Sequence, residues 1–309
     1  MDRYEITHDI VVVGSNMMDM ITKIPRLPKM GETLAGSAFS LGFGGKGANQ
    51  AVMAARLQAK VAIVTKVGGD VFGSMVKQNF ASQGIVVDTI FTDDSLPSGV
   101  APILVDDEGH NLVIIVPGAN NSLSAAEVKG AQAVIQSARI LICQLEIPDE
   151  AILAAFEIAS QAGVKIIFNP APARPVPARM LQLADLLVPN ETEAELLTGI
   201  PVSDLDSAAR AAEALHTMGA RTVIITLGAQ GALLYEAGHA SHFPAPQVRA
   251  VDTTGSGDAF IGSLAVSLAR GKSLPEAVGF ANRAAALSVT RIGTQISFPT
   301  PDEIDAFNG

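Results

Sequence analysis

The sequence is short of the residues that stabilise several common classes of small protein. It has one cysteine, Cys143, among 309 residues, which excludes an internal disulfide framework and a cysteine-based zinc cluster. Cys143 ends the apolar run Ile140–Cys143, so we expect a small buried core residue. The five histidines have no spacing typical of a metal site, and we expect His239 and His242 to lie in a surface loop.

Positive charge is also scarce, because 21 lysines and arginines face 31 aspartates and glutamates, for a net charge of −10. There is no Lys/Arg cluster, so we do not expect a nucleic-acid-binding surface. No apolar run approaches the roughly 18 residues of a membrane span, and residues 1–5 lack the start of a secretory signal. We therefore expect a cytoplasmic protein that binds neither nucleic acid nor membrane.

Hydrophobic residues are abundant, at 48% of the chain, and their spacing alternates between strand and helix. Strands are predicted at residues 9–13, 61–67, 140–144, 164–168, 185–188 and 223–227. Helices are predicted at residues 48–57, 71–83, 149–161, 191–197, 207–218, 258–270 and 274–289. This alternation predicts an α/β fold with a central, mostly parallel sheet that has helices on both faces.

Two regions, about 15–42 and 89–116, interrupt the alternation and contain no convincing helix. In the second, segments 99–105 and 111–116 flank the turn at residues 106–109, which predicts a hairpin. We interpret both regions as strands outside the main sheet. They would form a small β-sheet lid on a single domain that spans residues 1–309.

The sharpest motif is Asp252-Thr-Thr-Gly-Ser-Gly-Asp-Ala-Phe260, which follows a short β-like stretch at residues 247–251 and opens a helix. Its glycines allow a tight turn that presents successive backbone N–H groups, and the helix dipole adds positive character there. Such a turn can stabilise a transferred phosphoryl group. Asp258, in the first helical turn, can accept a proton from an attacking hydroxyl, although it is also a common type of N-terminal helix acid.

A second glycine-rich motif, Gly42-Phe-Gly-Gly-Lys-Gly-Ala-Asn-Gln50, opens an earlier helix. It contains the dinucleotide-binding spacing G-x-G-x-x-G and partly matches a P-loop, but Gly47 replaces the Ser or Thr that a P-loop needs after its lysine. Lys46 and Asn49 can instead hydrogen-bond sugar hydroxyls. A glycine-rich turn with a surface lysine is the structural alternative.

Three shorter motifs follow strands. In Pro189–Glu193, Asn190 and Glu193 form either a helix capping box or a site near phosphate-bound Mg²⁺. The turn 226–231 either holds a nucleotide or closes a hairpin. In Gly14-Ser-Asn-Met-Met-Asp19, Asp19 follows a strand of the sheet, where ligands of α/β proteins usually bind, or it is a solvated turn residue.

In this order and at this separation, the motifs resemble those of the ribokinase (carbohydrate kinase) family, over about Asp9–Phe307. The resemblance implies a ribokinase-like sheet with a β-sheet lid over a small-molecule sugar, ATP as phosphoryl donor, Mg²⁺, an activating K⁺, and a homodimer formed through the lid. It implies that Asp258 is the base and binds the sugar, and that Gly255, Ser256 and Gly257 form the anion hole.

The resemblance also implies the ligand contacts. The sugar would be held by Asp19, Gly45, Lys46, Asn49 and Glu146, and the nucleotide by Asn190, Thr226, Gly228, Gly231, Gly257 and Asn282. Glu193 would help to place Mg²⁺. The monovalent cation would be surrounded by Asp252, Thr254, Ser288, Arg291, Gly293 and Ser297.

Three positions depart from the family pattern. Ser256 replaces alanine, and Asn282 stands where histidine can lie near adenine. Met17 replaces an asparagine that reaches sugar hydroxyls, and Asn16 cannot substitute because neighbouring residues of an extended segment point to opposite sides. Met17 would leave a ribose hydroxyl unpaired, at a cost of about 1–3 kcal/mol. We therefore expect phosphorylation of 2-deoxy-D-ribose on O5, with D-ribose as a slower substrate.

Three other functions are compatible with parts of this sequence. A kinase of another sugar or of a nucleoside would share every motif above. A dehydrogenase would use residues 42–47 for a dinucleotide and leave Asp252–Asp258 unexplained. A non-catalytic sugar sensor on a kinase fold is expected to lack the base, yet Asp258 is present.

Overall fold

The computed structural model describes residues 5–307, so residues 1–4, on which part of the targeting expectation depends, lie outside it. The strands are β1 (His8–Val13), β2 (Met17–Lys23), β3 (Ala38–Gly44), β4 (Val61–Gly68), β5 (Ile90–Asp93), β6 (Val100–Val105), β7 (Asn111–Val113), β8 (Ala138–Cys143), β9 (Lys165–Phe168), β10 (Leu186–Leu187), β11 (Thr222–Thr226), β12 (Ala232–Glu236) and β13 (His239–Phe243). The α-helices are α1 (Lys46–Arg56), α2 (Val71–Ser82), α3 (Ala125–Gly130), α4 (Gln132–Gln136), α5 (Asp149–Ala162), α6 (Ala178–Leu183), α7 (Glu191–Thr198), α8 (Leu205–Thr217), α9 (Ser256–Ala269), α10 (Leu274–Ser288) and α11 (Pro301–Ala306).

The large sheet has nine strands in the order β13-β12-β11-β10-β9-β8-β1-β4-β5. The seven strands from β11 to β5 pair in parallel, and β12 and β13 add an antiparallel edge. Strands β1 and β4 contain the apolar runs 10–13 and 61–64, whose residues are buried on both faces of the sheet. The predicted mostly parallel α/β sheet is confirmed.

Alternate residues of β1 enter two separate hydrophobic cores, one on each face of the sheet. Val11 and Val13 pack in a core with residues of helices α3 to α8. Ile10 and Val12 pack in a core with residues of α1, α2, α9, α10 and α11. The period-two geometry of a strand therefore positions helices on both faces, as predicted.

A second sheet of four strands, in the order β3-β2-β6-β7, takes its strands from the two irregular regions. The hairpin β6–β7 is present, closed by a turn in which Gly109 N donates to Asp106 O. Two boundaries differ from the prediction. Strand β3 continues to Gly44, and residues 90–93 belong to the large sheet, because α2 returns the chain alongside β4 and β5 pairs there.

Other local predictions were wrong. Residues 247–251 form no strand, and the backbone N–H of Val251 donates instead to Val289 O, just after α10. His239 and His242 are exposed as expected but lie in β13 rather than in a loop. Within residues 5–307, no helix is both long and apolar enough to cross a membrane.

Candidate active site

Asp258 lies at the amino end of α9, where a glycine creates the turn. Gly255 caps this helix with φ of +78°, a left-handed conformation that favours glycine. A Cβ at Gly255 would lie 2.4 Å from Thr294 Cγ2, whereas one at Gly257 would meet nothing within 4 Å. The first turn of α9 is therefore open at Gly257, which lines a cavity together with Asp258.

Two side-chain amides of α1 hold the carboxylate of Asp258. Asn49 Nδ2 donates to Oδ2 at 2.9 Å, and Gln50 Nε2 donates to Oδ1 at 2.9 Å. Burial raises the pKa of Asp258, against the opposing effects of Lys46 and of these two donors. The result is a fixed and desolvated carboxylate that is a stronger proton acceptor than an exposed aspartate.

Lys46 supplies the positive charge nearest to Asp258. Burial alone would lower the pKa of Lys46, but attraction to Asp258, Glu146 and Glu193 outweighs it and raises the pKa. The ammonium group therefore remains charged at neutral pH. The lysine that the sequence left open as a surface residue is instead half-buried, and three acids act on it.

A pair of carboxylates, Asp19 and Glu146, lies near the connection between β1 of the large sheet and β2 of the small one. Glu146 Oε2 accepts from Ser15 Oγ at 2.5 Å and from Lys46 N at 2.9 Å. Burial and repulsion from Glu146 raise the pKa of Asp19 to about 6. Asp19 occupies space that only a glycine leaves free, because a Cβ at Gly44 would lie 2.3 Å from Asp19 Oδ1.

Met17 shares a face of β2 with Asp19, since side chains two residues apart in a strand point the same way. Its side chain is 3% exposed. Asn16 points elsewhere, and its Nδ2 donates to Thr65 Oγ1 at 2.8 Å and to Lys66 O at 2.9 Å. The Asn16 side chain is thus hydrogen-bonded to β4, as the alternating side-chain directions of an extended segment predict.

A cavity of about 160 Å³ joins the Asp258 site to the start of α7 and is lined by Lys46, Asn190, Glu193, Gly257 and Asp258. Asn190 and Glu193 form the predicted capping box, so their structural role is present. Burial raises the pKa of Glu193, against its hydrogen bond from the Asn190 backbone. Glu193 nevertheless faces the cavity, where a carboxylate suits a hydrated Mg²⁺.

A larger cavity of about 400 Å³ lies on the other side of Gly257, between the β11–β12 turn and α10. It contains Thr226, Gly228, Gly231 and Asn282 of the predicted nucleotide site, and its other walls are mainly apolar. Asn282 Nδ2 donates to Phe243 O at 2.8 Å, so it fixes one wall. Both cavities share Thr226 and Gly257, and they therefore meet at the anion-hole turn.

The residues predicted to surround a monovalent cation come from two adjacent loops that Asp252 links. Asp252 Oδ1 accepts from Thr254 N at 3.0 Å, and Oδ2 accepts from Gly293 N at 2.9 Å. The hydroxyls of Ser288 and Ser297 donate to the carbonyls of Ala285 and Thr294. Their hydroxyl oxygens, the Asp252 carboxylate and backbone carbonyls are all oxygen donors, the chemical type that a K⁺ ion would need at this site. Arg291 pairs instead with Glu303 through its side chain, so only its carbonyl can contribute.

No group of three or more His, Cys, Asp or Glu side chains arranged to hold a metal occurs among residues 5–307. Glu193 and Asp258 are the two acidic residues that line the smaller cavity. Such a site fits Mg²⁺ that keeps most of its water and is carried by the phosphates of a nucleotide.

The dinucleotide and P-loop interpretations of residues 42–47 do not fit the fold. Gly42 and Gly44 belong to β3, which pairs with β2 in the small sheet, and a Cβ at Gly47 would lie 2.6 Å from Ser15 N. A dinucleotide fingerprint instead joins a strand of the parallel sheet directly to its helix. Here the glycines let α1 approach the β1–β2 connection.

Sequence reasoning missed four amides around Asp258, namely Gln50, Gln144, Asn169 and Gln295. Gln50 Nε2 contacts Asn169 Oδ1 at 3.2 Å, and Gln50 Oε1 accepts from Gln144 Nε2 at 2.6 Å. Gln50 lies in the second glycine-rich motif, directly after Asn49, so its position could have identified it as a site residue. The other three are isolated in sequence, and no local pattern marks them.

Comparison with known proteins agrees with this geometry. The model of the pfkB family of carbohydrate kinases matches residues 7–301. Mouse (Mus musculus) ribokinase is 45% identical over 295 residues, covering 94% of this chain and 91% of the relative. A deoxyribokinase from Salmonella typhi is 41% identical over 300 residues, covering 97% of this chain and 98% of the relative.

Solved structures show the same likeness. A structure of Arabidopsis thaliana ribokinase complexed with ribose and ATP matches with a TM-score of 0.89 and 32% identity, covering 96% of this chain and 97% of that chain. A Thermotoga maritima ribokinase matches with a TM-score of 0.89 and 38% identity, covering 97% and 98%. The chain belongs to the pfkB family of carbohydrate kinases, and the family resemblance seen in the sequence is confirmed.

Proposed function

We propose that this protein transfers the γ-phosphoryl group of ATP to the 5-hydroxyl of 2-deoxy-D-ribose and, more slowly, of D-ribose. The observation that carries the proposal is the position of Asp258. This buried carboxylate stands at the amino end of α9 and lines the smaller cavity next to Gly257, where that cavity meets the larger, apolar one. The ribokinases and the deoxyribokinase similar to this chain support the choice of a pentose.

Asp258 is proposed to accept the proton of the attacking hydroxyl as the phosphoryl group transfers. Its raised pKa makes it a better base than an exposed aspartate. The backbone N–H groups of Gly255, Ser256 and Gly257 are proposed to bind the transferred group, and Lys46 adds a positive charge that acts on the same site. Positioning and charge stabilisation carry most of the catalysis of phosphoryl transfer, and this arrangement supplies both.

Each ligand has a proposed place in this arrangement. The sugar lies against Asp19, Gly45, Asn49 and Glu146, and the nucleotide lies in the apolar cavity beside Thr226, Gly228, Gly231 and Asn282. Mg²⁺, which neutralises phosphate charge when bound, is proposed beside Glu193 and Asn190. K⁺ is proposed between the loops that Asp252 links, where it would stiffen the start of α9.

The four-stranded sheet is proposed as a lid over the sugar and as the surface of a homodimer. Side chains on it expose apolar area that a second copy could cover, with Phe39 at 60%, Val113 at 50% and Ile114 at 52%. Two neighbouring strands of this sheet, β2 and β3, carry Asp19 and Gly44. We propose a cytoplasmic enzyme whose partner is the sugar rather than nucleic acid or membrane.

Replacement of Asp258 by asparagine tests the proposed base. The asparagine keeps the side-chain shape but removes the proton acceptor, and kcat should fall by about 10²–10⁴-fold. The matched control is Asp302→Asn, an exposed residue in the first turn of α11, which should keep wild-type kcat. Near-normal turnover by Asp258→Asn would contradict the assignment of Asp258 as the base, whereas a wild-type protein that binds sugar without turnover would favour the non-catalytic sugar sensor.

A further inference from the structure

A chain of three amides leads from the surface of α2 to the Asp258 carboxylate. Asn79 Nδ2 donates to Gln295 Oε1 at 3.0 Å, and Gln295 Nε2 donates to Asn49 Oδ1 at 3.1 Å. Asn49 Nδ2 then donates to Asp258 Oδ2 at 2.9 Å. Asn49 and Gln295 are buried, at 6% and 7% exposure, so water does not readily replace these contacts.

The direction of this chain matters because an ionised carboxylate only accepts hydrogen bonds. Asn49 must turn its NH₂ group toward Asp258, and its oxygen must then find a donor on the other side. Gln295 supplies that donor. If the Asn49 amide turned over, its oxygen would face Asp258, so the carboxylate would lose a donor and meet a negative partial charge.

We propose that Gln295 is a positioning residue for the catalytic base, because it fixes the Asn49 amide in the one orientation that donates to Asp258. The inference depends on the proposed function, since it takes Asp258 as the base. Gln295 lies in a short 3₁₀ turn, Gln295–Ser297, far in sequence from both helices that it joins. The turn between α10 and α11 thereby becomes part of the active site.

The other groups around Asp258 do not depend on Gln295. Gln50 donates to the opposite carboxylate oxygen and is held by Gln144 from the large sheet. Lys46, Glu146 and Glu193 are the charged groups that act on Asp258. A Gln295 substitution leaves all of these in place, so it tests one donor to the base.

Two variants separate the donor from the shape of the side chain. Gln295→Glu keeps the shape but can only accept, so Asn49 must turn its NH₂ away from Asp258. Gln295→Met keeps similar length without a donor or a charge, so the Asn49 amide is no longer held. The control is Ile296→Ala, the next residue in the same turn, whose side chain is 77% exposed.

The readout is the pH dependence of kcat, with the melting temperature measured alongside. Loss of a donor to the ionised Asp258 carboxylate raises its pKa. The acidic limb of the pH profile of kcat should therefore move up by about one pH unit in Gln295→Glu and by less in Gln295→Met. At pH values on this limb, below the pKa of Asp258, kcat should fall about tenfold in the glutamate variant. Ile296→Ala should keep the wild-type profile.

If the acidic limb of the pH profile of kcat stays in place in both variants, the inference is overturned, whatever the change in melting temperature. Gln295 would then be a structural residue only. Movement in the glutamate variant alone would assign the shift to its added charge and would also overturn it. Failure of the proposed function is distinguishable, because Asp258→Asn would then keep its turnover. That result would remove the base on which the inference depends.

Discussion

The ionised carboxylate of Asp19 is expected to destabilise the folded protein, although it is also proposed to bind the sugar. Its pKa is raised from 3.8 to about 6 by burial and by repulsion from Glu146. A shift of about two pH units corresponds to roughly 3 kcal/mol of lost stability once the group is ionised. Because the pKa is higher in the folded state, this loss is complete above pH 6 and disappears as the pH falls toward 3.8.

The substitution Asp19→Asn removes the charge and keeps the shape of the side chain. At pH 8 it should raise the free energy of unfolding by about 1–3 kcal/mol, and at pH 4 the difference should nearly vanish. The same variant should lose at least about tenfold in kcat/KM for the sugar, because a carboxylate that accepts from sugar hydroxyls is gone.

Urea denaturation at the two pH values, together with steady-state kinetics, checks both effects. The control is Asp302→Asn, which removes an exposed carboxylate and should change neither quantity. An Asp19→Asn protein that is less stable than wild type at pH 8 would refute the argument, because it would show that the ionised carboxylate is stabilised in place.

Two further predictions concern the same strand pair. Met17→Asn should raise the ratio of kcat/KM for D-ribose over 2-deoxy-D-ribose by about 5- to 100-fold, since a buried partner for the additional hydroxyl is worth roughly 1–3 kcal/mol; an unchanged ratio in parallel assays would show that Met17 does not set specificity. Gly44→Ala should raise the KM for sugar at least about tenfold with little change in the KM for ATP, because the new Cβ would lie 2.3 Å from Asp19 Oδ1 and displace a binding carboxylate; an unaltered sugar KM would contradict it.

The succession of strands and helices along the chain, and the mostly parallel sheet that they form, could be predicted from sequence because both faces of the central strands are buried. Continuous apolar runs such as 61–64 in β4 alternate with helical segments, and this pattern indicates a parallel sheet. The edge strands β5 and β13 were not recognised. They are short and half-exposed, so pairing rather than composition determines them.

Some residues of the candidate site could likewise be predicted from the sequence, and others could not. Asp258, Lys46 and Asn190 lie in glycine-rich or helix-opening motifs, where the local backbone already indicates a ligand. Gln144 and Gln295 are single polar residues without a local pattern, and only the fold brings them to Asp258. Their roles depend on contacts across 94 residues between Gln144 and Gln50 and across 246 residues between Gln295 and Asn49.

The most direct test of the central claim is the identification of products. Wild-type protein would be incubated with ATP, Mg²⁺ and K⁺ and either 2-deoxy-D-ribose or D-ribose, and ADP and sugar phosphate would be quantified by ³¹P NMR. We expect equal amounts of ADP and sugar 5-phosphate, formed faster from 2-deoxy-D-ribose and lost in Asp258→Asn. ATP that stays intact with both sugars, or ADP formed without sugar phosphate, would contradict the account.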